Sequence, residues 1–72
     1  EHGLKQKMDK VIEQIVQRRI ALGISQTELA RRANMKQPAI ARLERGESSP
    51  QLDTLRPILN ALGCDISIVP LD

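Results

Sequence analysis

Apolar residues recur along most of this chain at spacings of three and four, the signature of amphipathic helices. From Lys5 to about Leu22, Met8, Val11, Ile12, Ile15, Val16 and Arg19 share one face, with Ile20 and Leu22 closing the pattern. Gly23 is a natural helix stop, and Ile24 is expected to enter the core from the linker. Ser25 and Glu28 then stand three residues apart. That pair predicts a capping box, in which the serine oxygen accepts one free amide and the glutamate reaches back to another. A second helix therefore runs from Gln26 to about Ala33, with Leu29, Ala30 and Ala33 inside.

Asn34 tolerates the left-handed backbone of a tight turn, and Met35 is expected to fill the space between helices. A third helix runs from about Gln37 to Arg45 and ends at Gly46, with Ile40 and Leu43 inward. Pro38 lies in its first turn, where a missing amide costs little. After the polar loop Glu47-Ser48-Ser49-Pro50, a fourth helix runs from about Leu52 to Leu62, with Gly63 as its stop. Its buried stripe is Leu52, Leu55, Ile58, Leu59 and Leu62. Pro57 falls inside it and removes one backbone bond, which implies either a kink or a late helix start.

The period changes after Gly63. Cys64, Ile66 and Ile68 alternate with Asp65, Ser67 and Val69, the period-two pattern of a strand over residues 64–70. A lone strand leaves its backbone groups without partners, and the sequence has no second strand pattern. Two readings stay open. The segment pairs antiparallel with its own copy across a twofold axis, making Cys64, Ile66 and Ile68 dimerisation residues, or it is a frayed tail packed on the first helix. The first is favoured. The expected architecture is all-α: a single domain over residues 1–72, compact, of four to five helices with its core at 5–63, followed by the short C-terminal β-strand.

Composition narrows this picture. A chain of 72 residues makes one domain, and one of this size buries only about 60% of its unfolded surface. With no Phe, Tyr or Trp, the core is aliphatic. Cys64 is the single cysteine and His2 the single histidine, so neither an internal disulfide nor a metal-ligand cluster is available. No metal or cofactor is expected. Of the usual supports for a small core, oligomerisation remains. One cysteine suits a reducing compartment, no apolar run approaches the roughly 20 residues that span a bilayer, and no secretory signal is visible. A cytoplasmic, nucleoid-associated location in a bacterium, or encoded by a phage, is expected. The chain opens on Glu1 and not Met, leaving open either residues upstream or a cloning remnant at Glu1-His2-Gly3. An enzyme is not expected: Cys64 has no neighbouring base, His2 lies at the start, and no paired acids or phosphate loop appear.

Charge is uneven. Residues 26–45 carry Arg31, Arg32, Lys36, Arg42 and Arg45 against Glu28 and Glu44, an excess of three, whereas the whole chain is only +2. The positive excess coincides with the second and third helices, as phosphate binding requires; the alternative is a solvated helical face. Two helix starts eleven residues apart, each with a glutamine in its first turn (Gln26 and Gln37), fit a helix-turn-helix that sets one helix across a nucleic-acid backbone and presents the next to a groove. The outer positions of the third helix are Lys36, Gln37, Pro38, Ala39, Ala41, Arg42 and Arg45. Gln37 suits adenine and Arg42 suits guanine by two-point hydrogen bonds, while Ala39 and Ala41 permit close approach or contact with a thymine methyl. Lys36 and Arg45 suit phosphates. Gln26, at a helix N-terminus, is placed to hold a phosphate oxygen. Thr27, Arg31, Arg32 and the amides of residues 46–48 are weaker phosphate candidates. An ion pair between Arg19 and Glu44 would tie the third helix to the scaffold.

The run from Arg19 to Ala30, the segment Ile40-Ala41-Arg42-Leu43-Glu44-Arg45-Gly46, then Ser49-Pro50, Leu52-Asp53-Thr54-Leu55 and Ala61-Leu62-Gly63 together resemble the Cro/phage-repressor (XRE) helix-turn-helix family over roughly residues 8–63. The resemblance implies a lambda-repressor-like fold. It also implies that Gln26 binds phosphate and helps orient Gln37, that Gln37 reads a base, and that Arg19 and Glu44 form an internal ion pair. The chain departs from the phage proteins at Pro38, where they often carry a base-reading polar residue. The terminal segment resembles a narrower group, small antitoxins of the HipB and HigA-like kind, which implies autoregulation and a toxin partner. The expected function is a dimeric transcriptional regulator, a repressor on a palindromic double-stranded DNA operator. The alternative is an antitoxin that neutralises a toxin protein and autoregulates its operon.

Overall fold

Among the described residues four helices follow one another: α1 over His2–Ala21, α2 over Gln26–Arg32, α3 over Gln37–Glu44 and α4 over Leu52–Ala61. The computed structural model describes residues 2–66, and their side chains from residue 10 onward. Ile12 and Ile15 of α1, Leu29 and Ala30 of α2 with Ala33 after it, Ile40 and Leu43 of α3, and Leu55 and Ile58 of α4 with Leu62 beyond it close a single aliphatic core. Val11, Val16, Ile24, Met35 and Leu59 pack against its edge. α2 packs chiefly on α3, which also meets α1, and α4 lies against α2. Ala30, 2% exposed, is small enough to let α2 approach its neighbours closely. No buried side-chain nitrogen or oxygen lacks a partner among the described residues.

The helix-turn-helix corner depends on one backbone conformation. Asn34 has φ of 60°. Its amide donates to the Arg31 carbonyl at 3.2 Å, and the Met35 amide donates to the Ala30 carbonyl at 2.8 Å. These are the two bonds of a Schellman stop, with the apolar residue beyond it folded back on the helix. The other three helices stop in the same way at glycines with positive φ. Asparagine tolerates this region where a branched or plain Cβ is penalised by about 1–2 kcal/mol. Asn34→Ala is therefore expected to lower stability by about 1 kcal/mol while Asn34→Gly leaves it near wild type, as read from urea unfolding. Equal midpoints for the two variants would remove the left-handed turn as the explanation.

Several sequence expectations change. Ile20 and Leu22 do not close the apolar face: they are 63% and 42% exposed. Five residues on from Ile15, a side chain has rotated by about 140° away from it, and Leu22 falls in the turn after α1. Leu52 is likewise 63% exposed, because it is the first residue of α4 and precedes the point where that helix meets the core. Only half of the capping box forms. The Ser25 Oγ accepts the Glu28 amide at 3.0 Å, but the Glu28 carboxylate takes Arg31 and Arg32 instead, since charge-assisted bonds outcompete a neutral amide. Pro57 stands in the second turn of α4 without ending it, so the late-start reading does not hold.

The strand expected at 64–70 is not supported. Residues 64–66 form no strand, and 67–70, with Ile68, lie outside the described residues. Among the described residues no ladder partner exists for Cys64 and Ile66. The Cys64 amide instead donates to the Leu59 carbonyl at 2.8 Å as part of the α4 stop, and its side chain packs against the core.

Candidate nucleic-acid interface

The two glutamines meet. Each occupies the first position of its helix, Gln26 behind the Ser25 cap and Gln37 behind Lys36, whose side chain makes no capping bond. The tight corner brings these two helix starts together, and the Gln37 Nε2 donates to the Gln26 Oε1 at 2.8 Å. The Gln26 Nε2 in turn donates to the Glu44 Oε1 at 2.8 Å. Glu44 is held from its other side by Arg19, whose Nε donates to Oε2 at 2.7 Å and whose Nη2 donates to Oε1 at 3.0 Å. The Arg19 Nη1 donates to the Ile24 carbonyl at 2.9 Å. The side chains of Arg19 and Glu44 are 15% and 7% exposed, so the pair is largely out of water.

This relay fixes which way both amides face. An ionised carboxylate only accepts, so Gln26 must turn its NH2 to Glu44 and its carbonyl to Gln37. Gln37 must then spend one N–H on Gln26. What remains at its tip is one N–H donor and a carbonyl acceptor. That pair complements the N7 acceptor and N6 amino donor that adenine shows in the major groove. Sequence spacing pointed to an Arg19–Glu44 pair; it gave no sign that Glu44 also holds Gln26.

On α3 the outward side chains are Pro38, Arg42 and Arg45, all exposed, with Ala41 and Gln37 half-buried among them. Lys36 and Thr27 are exposed at the two helix starts. Ala39, placed with the outer set by the sequence reading, sits on the flank. It is half-buried and lines a cleft of about 370 Å³ with Met35, Leu43 and Ile58.

The basic excess is largely spoken for. Glu47 takes Arg45 in two bonds of 3.0 and 3.1 Å. Its carboxyl is held below the usual carboxylate range by the hydrogen bonds from Arg45, with lesser help from the charge of Arg42. Glu28 takes Arg31 and Arg32 and is drawn down to about 2 by their hydrogen bonds, Arg31 foremost. Arg42 and Lys36 make no ion pair among the described residues. Composition alone counted all these cations alike. Arg18, which the sequence reading passed over, donates to the Leu62 carbonyl at 3.0 Å and ties α1 to the end of α4.

A helix-turn-helix family model, HTH_3, matches residues 15–69. The chain belongs to the Cro/C1-type (XRE) helix-turn-helix family. Among curated relatives, an uncharacterised HTH-type transcriptional regulator of Haemophilus influenzae is 48% identical over 61 residues, covering 85% of this chain. The chain spans 62% of that relative's length. Among solved structures, a toxin-antitoxin module from Streptococcus pneumoniae is similar over 100% of this chain and 80% of its own, with a TM-score of 0.80 and 40% identity. α2, α3, α4 and the end of α1 lie inside the matched region, and the glutamine relay lies there with them. Among the described residues, no helix is long and apolar enough to cross a membrane and no metal-binding group of side chains occurs.

Proposed function

We propose that this protein is a sequence-specific regulator of transcription that reads a double-stranded DNA operator through α3. One observation supports this above the others: the relay from Arg19 through Glu44 and Gln26 leaves a preset donor and acceptor on Gln37, at the start of a helix whose outer face is short and basic. Gln26 and Thr27 at the start of α2, with Lys36 and Arg45 at the margins of α3, are assigned to phosphates, and Arg42 to a guanine edge. Ala41 permits the close approach. Repression follows sterically, by occupation of a promoter. Selection of bound duplexes from a random pool tests the reading. Two related half-sites about 34 Å apart are expected; recovery of no common sequence would refute it.

A dimer fits this spacing. α1 and α4 frame an apolar groove of about 500 Å³ lined by Val11, Ile15, Leu55, Leu59 and Leu62, with Cys64 and Ile66 along it. The half-site geometry calls for a second copy, seated on this groove beside Cys64 and Ile66. Truncation after Gly63 is expected to shift the sedimenting species from dimer to monomer; an unchanged species would reject this assignment.

The clasp between Arg45 and Glu47 predicts a gain of function. Glu47 is ionised at neutral pH and competes with DNA for Arg45. Glu47→Gln is expected to tighten binding to all duplexes a few-fold and to steepen the salt dependence by about 0.9 per phosphate gained. An unchanged slope would mean that Arg45 stays off the backbone.

The alternative, an antitoxin that also represses its own operon, is favoured by the likeness to the pneumococcal toxin-antitoxin module. Its test is a toxin-like reading frame beside this one whose product co-purifies with this chain. Absence of any such neighbour would remove this reading and leave the regulator.

A further inference from the structure

The cleft on the flank of α3 has an apolar floor and a polar rim. Leu43 and Ile58 of the core lie beneath it, with Ala39 and the half-buried Met35 beside them. Arg42 of α3, Ser48 of the following loop and Thr54 of α4 stand exposed around it. Its volume of about 370 Å³ falls in the range of small-molecule sites, roughly 300–1,000 Å³, and such sites combine an apolar lining with a few convergent polar groups. Charge sets the sign of the guest. The rim carboxylate, Glu47, is taken by Arg45 through both its oxygens, whereas Arg42 makes no ion pair among the described residues. A guanidinium presents a planar fork of donors that matches a carboxylate. The thioether of Met35 adapts its shape and favours contact with an aromatic ring.

We propose that this cleft binds a small aromatic carboxylate, its ring against Met35, Ala39 and Leu43 and its carboxylate on Arg42, and that binding releases DNA. The release rests on the reading of α3 as the groove helix. Arg42 is assigned there to a guanine edge, and one guanidinium fork does not serve a base and a carboxylate at once. The ligand is then an effector, and it weakens operator binding by the same factor by which operator weakens its own.

Indole-3-acetate and its uncharged amide serve as probes, titrated into the full chain without DNA while the methyl signals of Met35, Ile58 and, on α1, Ile12 are followed by NMR. The acid is expected to shift Met35 and Ile58 and to leave Ile12 in place. The amide is expected to bind about five-fold more weakly, the ratio that about 1 kcal/mol from an exposed ion pair gives. Arg42→Gln should abolish that difference. Thr54→Met, which closes the mouth from α4, should lose the shifts yet bind the selected operator as wild type does. With operator present, the acid should raise the apparent Kd for DNA in the wild type and not in Thr54→Met. No methyl shift up to the solubility limit of the acid, or equal binding of acid and amide, would overturn the site. Methyl shifts with operator affinity unchanged would overturn the antagonism. If no duplex is selected, the DNA reading falls and the antagonism with it, while the methyl shifts still decide the site.

Discussion

Glu44→Ala is expected to remove about 3 kcal/mol of folding stability. The carboxylate is 7% exposed and its Arg19 partner 15%. Deleting one member leaves a guanidinium out of water with only the Ile24 carbonyl for company, and breaking such a pair from one side costs roughly 3–5 kcal/mol. The low end applies because Arg19 reaches solvent at its edge. A domain of this length has roughly 4–11 kcal/mol in total, so the variant should lose about a quarter to three quarters of its stability. Replacing both partners with apolar residues, Arg19→Met with Glu44→Leu, is expected to recover much of the loss. Urea unfolding of the singles and the double measures this directly. If the double variant is no more stable than the worse single, the pair is not a desolvated unit. The doubly apolar variant should still bind its operator weakly, because Gln26 has lost the acceptor that fixes its amide.

Gln37→Ala is expected to weaken operator binding by about 1–3 kcal/mol for each half-site while leaving binding to random duplex nearly unchanged. The distinction follows from what each group touches. Phosphate contacts are the same on every sequence, and only base edges separate one site from another. The salt slope should stay constant, since no cation is removed. Gln26→Ala makes a useful companion. It keeps the reader but frees its amide to rotate and removes a proposed phosphate contact, so the preference for adenine should relax while affinity falls on operator and random duplex alike. Competition titrations with operator and random duplex give both quantities. An equal loss on the two DNAs after Gln37→Ala would contradict base reading by that residue.

Much of the scaffold was legible along the chain because its causes are local. The three-four spacing of Ile12, Ile15, Leu55 and Ile58 marks buried faces. Ser25 and Gly23 bracket a turn through interactions that reach only a few residues, and Asn34 declares its own left-handed corner. Errors came where an element meets its end or its surroundings. Ile20, Leu22 and Leu52 are apolar and in register or nearly so, yet exposed, because the helix rotates past the core or has not yet reached it. Glu28 reads as half of a capping box but has two arginines within one helical turn, and charge prevailed.

By itself the sequence determined the helices, their stops, the aliphatic core and the helix-turn-helix spacing, because periodicity and caps act over three or four residues. The Arg19–Glu44 pair and the orienting of Gln37 by Gln26 are expected from the sequence; only the tertiary structure decided that Gln26 also bonds Glu44 across 18 residues, and with it which atom of each amide donates and which accepts. It also decided that Arg45 is clasped by Glu47 while Arg42 has no such partner among the described residues. Hydrogen-bond direction and charge pairing depend on ångström distances between distant segments, and no spacing along the chain records those.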